Sequence, residues 1–72
     1  MSAKTPQEKL AVLVPHWVEH THAHIAEMRH WQTEAVAAGP EAARQFAAAL
    51  DAFVAGADAL ARVATALPRQ KD

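Results

Sequence analysis

The sequence predicts an all-α fold, an antiparallel two-helix hairpin with a proline kink in its first helix, dimerising into a four-helix bundle. Three observations carry this expectation. Apolar residues recur at three- and four-residue spacing through most of the 72 residues. One Gly39-Pro40 step interrupts that pattern near the middle. Alanine, the strongest helix former, crowds the second half.

The first helix is expected from about residue 6 to 38. Thr5 suits the N-cap, Pro6 the first helical position, and Glu8 completes a capping box. Leu10, Leu13, Trp17, His24, Met28, Trp31 and Ala35 fall on one side at helical spacing and are read as its apolar seam. Pro15 lies inside this run, where it removes a backbone donor and crowds the carbonyl of Ala11. The apolar phase continues past it, so one kinked helix is expected rather than two short ones. Gly39 and Pro40 form the turn, glycine at the end of one helix and proline opening the next.

The second helix is expected from about 40 to 66, with Glu41 in its first turn, where negative charge is favoured. Phe46, Leu50, Phe53, Ala57, Leu60, Ala64 and Leu67 alternate four and three apart, a coiled-coil-like seam. Gly56 sits within it and costs about 1 kcal/mol relative to alanine, which points to close backbone approach. Polar tails are expected at residues 1–4 and 68–72 around a single domain spanning 1–72.

Composition narrows the function classes. There is no cysteine, which excludes disulfides, thiolate metal sites and iron–sulfur clusters. Seven basic and eight acidic residues leave a net charge of −1, no footprint for nucleic acid. No apolar run reaches the roughly 20 residues of a membrane span. The start lacks the apolar core of a signal peptide, so a cytoplasmic protein is expected. No glycine-rich phosphate loop or nucleophile triad is visible. Two helices make a thin core, and chains of this size often need a metal or a second chain.

All five histidines and both tryptophans lie between His16 and Trp31. Protonating the five imidazoles would carry the net charge from −1 to +4, so this segment is the pH-sensitive part of the chain. His16, His20 and His24 step round the helix by about 40° each and form one stripe, with Glu27 on the same side. His16 and His24 are about 12 Å apart along the axis, so one ion takes only an i, i+4 pair. His20, His24 and Glu27 form the best single-ion set, with His16 beside it and Glu19, His22 and His30 as weaker candidates. Further ligands must come from water or a second chain. Imidazole and carboxylate without thiolate suit Zn, Ni, Co, Cu(II) or Fe. The plainer alternative is a solvated face whose histidines bond to one another or to nearby glutamates.

The run Leu13-Val14-Pro15-His16-Trp17-Val18-Glu19-His20, followed by His24, Glu27, Met28 and Trp31, resembles an uncharacterised family of small His-rich helical-hairpin proteins with a Pro-His-Trp-x-Glu-His pattern. The resemblance implies a helical hairpin and places His16, Glu19, His20 and His24 inside the shared pattern. It implies no activity. Glu19-x-x-His22 and Glu27-x-x-His30 are also similar in spacing to the sites of ferritin-like two-helix proteins, which implies a third reading as a metalloenzyme. Those sites draw glutamates from facing helices, and Glu41 is the only glutamate of the second half. Metal handling as a chaperone, store or sensor-like accessory is the function expected first. A structural or interaction module docking on a larger partner is the alternative.

Overall fold

A computed structural model describes residues 4–67, and the expected tails at 1–3 and 68–72 lie outside the described residues. Two helices, α1 (Pro6–Ala37) and α2 (Pro40–Ala66), pair as an all-α hairpin, with no strand among the described residues. Its principal extents are 56 × 19 × 16 Å, a rod two helices wide. No helix among the described residues is long and apolar enough to cross a membrane.

Local chemistry accounts for each helix end. Thr5 Oγ1 accepts from the Glu8 amide at 3.2 Å, and the Thr5 amide donates to Glu8 Oε1 at 2.7 Å. This closed capping box satisfies two amide donors that the first turn cannot pair internally. The helix runs through Pro15 as one element. It ends one residue earlier than expected, at Ala37, with the Ala38 amide turned back onto the carbonyls of Glu34 and Ala35. Gly39 follows with φ 125 and ψ 161, a conformation essentially confined to glycine. Gly39→Ala is therefore expected to cost about 1–3 kcal/mol in a denaturant titration, although a Cβ there would meet nothing within 4 Å.

At the start of α2 the Gln45 side chain donates to Glu41 Oε2 at 2.8 Å, and Arg44 bonds the other carboxylate oxygen. The Gln45 bond first, then Arg44, hold the Glu41 carboxyl below its ordinary range. A lowered folded-state pKa contributes stability that is present at neutral pH and lost as pH falls through the carboxylate range. Glu41→Gln is thus expected to lower Tm slightly at pH 7 and to leave it unchanged once the parent carboxyl is protonated.

The interhelix core is small and lies in a different register on α1 from the one the sequence suggests. Val14, Ile25, Leu50 and Ala57 are the buried residues among those described. Leu10, Val18, Thr21, Met28, Gln32 and Ala35 flank them on α1, half-buried. The expected α1 seam through Leu13, Trp17, His24 and Trp31 is displaced to one side. Leu13, Trp17 and Trp31 remain 40%, 42% and 52% exposed, and His24 is exposed as well. The expected α2 seam holds except at Phe53, which is 42% exposed. The physical reason is fit. Alanine positions on α2 allow close approach by the compact side chains Val14, Val18 and Ile25, whereas two indoles would hold the helices apart.

Candidate functional site

The displaced register determines what the histidines can do. His20 and His24 are one helical turn apart on the exposed face beside the seam, and their side chains lean together. His24 Nε2 and His20 Nε2 lie 3.1 Å apart, with the ring planes at 84° and the centroids at 4.5 Å. At that distance one Nε2–H donates to the lone pair of the other, so the two rings share a proton between converging nitrogens.

Two nitrogens on one tetrahedral ion, each about 2.0–2.1 Å from the metal, are separated by roughly 3.3 Å. The observed 3.1 Å separation is close to that spacing. A divalent ion can therefore replace the shared proton with small ring movements.

Glu27 takes a different place from the histidine pair. Its Oε1 lies 3.9 Å from His24 Nδ1, on the opposite nitrogen from the one facing His20. At that distance it makes no hydrogen bond, but it stands on the side from which carboxylates orient ligating histidines. His16 stacks on His20 at 6.2 Å between centroids and 15° between planes, extending the row without joining the converging pair. Among the described residues no group of three or more His, Asp or Glu stands so as to hold a metal ion. The expected set His20, His24 and Glu27 thus contributes two converging nitrogens, with the carboxylate behind them.

The weaker candidates point elsewhere. His22 and Glu19 line an open groove with Pro15, Val18, Ala61 and Ala64 on the other side of the hairpin. The α2 wall of that groove is alanine and supplies no ligand for a carboxylate di-metal site. His30 packs edge-on against Trp31 at 5.9 Å. Sequence reasoning named the pair but assigned its neighbours Trp17 and Trp31 to the hairpin seam. The polar residues Thr21 and Gln32 on the observed seam obscured the true register.

The model for a domain of unknown function, DUF8180, matches residues 10–67, most of the chain. The chain belongs to the DUF8180 family. That match covers the histidine row and both helices of this DUF8180 protein from Leu10 onwards. No curated protein and no solved structure matches it.

His22→Ala is expected to leave metal affinity within about threefold, while Glu27→Ala, which removes the orienting carboxylate, is expected to cost about tenfold. Calorimetric titration of each variant checks both.

Proposed function

We propose that this protein binds a divalent transition ion through His20 and His24 and serves in metal handling, as a cytoplasmic chaperone, store or sensor-like accessory. The observation that carries the reading is the convergence of the two Nε2 atoms to 3.1 Å on an exposed helix face. Two neutral imidazoles suit Zn, Ni, Co, Cu(II) or Fe. An exposed pair held by one flexible-sided helix face also suits an ion that must be passed on, because two coordination positions or more stay open to an acceptor. The rest of the coordination shell comes from water or from another chain. The reading includes a homodimer, which the small core and the exposed tryptophans favour.

The test is metal content after expression in rich medium, followed by titration of the chelated protein with Zn²⁺, Ni²⁺ and Cu²⁺. Saturable binding that His20→Ala removes is expected. Absence of saturable binding by any of these ions refutes the reading.

A second reading rests on its own observation. Leu13, Trp17, Trp31 and Phe53 leave large apolar side chains on the surface, as interaction surfaces do. A structural or interaction module docking on a larger protein would use them without any metal. In that case a pulled-down partner survives His20→Ala, and the Trp17→Ala and Trp31→Ala variants lose it.

A further inference from the structure

Six exposed residues on one flank of α1 are symmetrically spaced. Leu13, Trp17, His20, His24, Glu27 and Trp31 follow at intervals of four, three, four, three and four. At about 100° per residue they occupy one stripe, roughly a quarter-turn from the seam with α2. The spacing is symmetric about position 22, with the histidine pair in the centre, Leu13 and Trp31 at the ends, and Trp17 opposite Glu27. On α2, Ala49, Phe53, Gly56 and Val63 lie exposed along the corresponding flank of its seam. Positions 22 and 56 are equally far from Gly39 at the turn, so Gly56 stands level with the centre of the α1 stripe. In an antiparallel pair, flanks on the same rotational side of the two seams face the same way. The two stripes therefore form one face with a single candidate two-fold axis through its middle.

Building on the metal-binding reading, we propose that this face pairs with the same face of a second copy, and that His20 and His24 of both copies hold one ion on the two-fold axis. About that axis Leu13 meets Trp31 of the second copy, Trp17 meets Glu27 and its neighbour Met28, and His20 meets His24. Each contact occurs twice, as an isologous interface requires. The charges agree with the pairing. Lys9 comes within one residue of the level of Glu34 of the second copy, and His16 within one residue of Glu27, so these two groups stand near carboxylates. Gly56 meets itself across the axis, and its missing side chain allows α2 to approach α2. Alone, the hairpin leaves Gly56 facing open space, so the helix-weakening glycine has no packing role within one chain.

One further observation selects a second copy as the occupant. The site is incomplete without it, because one chain supplies two converging nitrogens while a closed tetrahedral shell takes four.

The test uses the intact chain with Zn²⁺ as probe. Titration calorimetry and light scattering are expected to show a dimer holding one ion per two chains. Trp31→Glu places a charge against Leu13 of the second copy. It is expected to yield a helical monomer that binds Zn²⁺ about tenfold or more weakly, although His20 and His24 remain. Because the chain has no cysteine, Gly56→Cys reports the axis directly. Mild oxidation is expected to convert it to a disulfide dimer, since the pair would stand within the Cα separation of about 4.4–6.8 Å that a disulfide needs. Ala26→Cys, on the far face of α1, is expected to stay a thiol under the same conditions. One ion per chain on a monomer overturns the shared site and leaves the metal-binding reading standing. No Zn²⁺ binding overturns both. Equal cross-linking at positions 26 and 56, or none at 56, overturns the two-fold axis.

Discussion

Replacing His20 and His24 together by alanine is expected to abolish the thermal stabilisation that Zn²⁺, Ni²⁺ or Cu²⁺ confers, with helix content unchanged. An ion that binds only the folded state stabilises it by about 2.7 kcal/mol at a concentration 100 times Kd. On a domain this small the gain corresponds to a rise of about 10–20 °C in Tm. Both side chains are exposed, so their removal opens no cavity in the core formed by Val14, Ile25, Leu50 and Ala57. The sign with pH follows from ligation. Metal binding needs neutral imidazole, so the ion competes with protons for the ring nitrogens. The gain is therefore expected to shrink as pH falls. Circular dichroism melts with each metal, against a chelator control, check this. A double variant that keeps the full shift would place the ion elsewhere.

The second large effect is expected in the core. Ile25→Ala removes most of one of four buried side chains among the described residues, a truncation that costs about 2–5 kcal/mol. Cores of this size rarely supply more than about 3–5 kcal/mol in total. The variant is therefore expected to be largely unfolded at room temperature without metal. Trp17→Ala should lose less when measured at high dilution, because nearly half of the Trp17 surface is already exposed within one chain. At high protein concentration the Trp17 cost should rise, whereas the Ile25 cost should stay the same. Urea titrations at two concentrations separate these effects. A mild Ile25→Ala and a severe Trp17→Ala at dilution would mean that the α1 seam runs through the tryptophans.

Much of the hairpin was legible in the sequence because its boundaries depend on local chemistry. Thr5, Pro6 and Glu8 start α1 through contacts three residues apart, and Gly39-Pro40 stops it through backbone restrictions. The register of α1 was harder to read. Two stripes with three- and four-residue spacing run along that helix side by side, one through Leu13, Trp17 and Trp31, the other through Val14, Val18 and Ile25. Bulk favours the first and close packing against alanine favours the second. Thr21 and Gln32 on the second stripe hid it from a hydrophobic pattern.

The candidate site divides in a similar way. Spacing identifies His20 and His24 as neighbours, since residues four apart share a helix face. Spacing does not tell which ring nitrogens converge. Rotamers decide that, turning the Nε2 atoms together and leaving Nδ1 of His24 towards Glu27. The symmetric spacing about position 22 became meaningful once Leu13, Trp17 and Trp31 proved to lie outside the seam.

The most direct measurement is the long-range ¹H–¹⁵N spectrum of the imidazoles, recorded at pH 7.5 before and after Zn²⁺ is added. It reports on each ring nitrogen separately. The expected result is that Nε2 of His20 and of His24 moves to the position of a metal-bound nitrogen while Nδ1 of each carries the ring proton, and His22 and His30 do not change. No change at His20 and His24, or equal changes at all five histidines, would contradict the account.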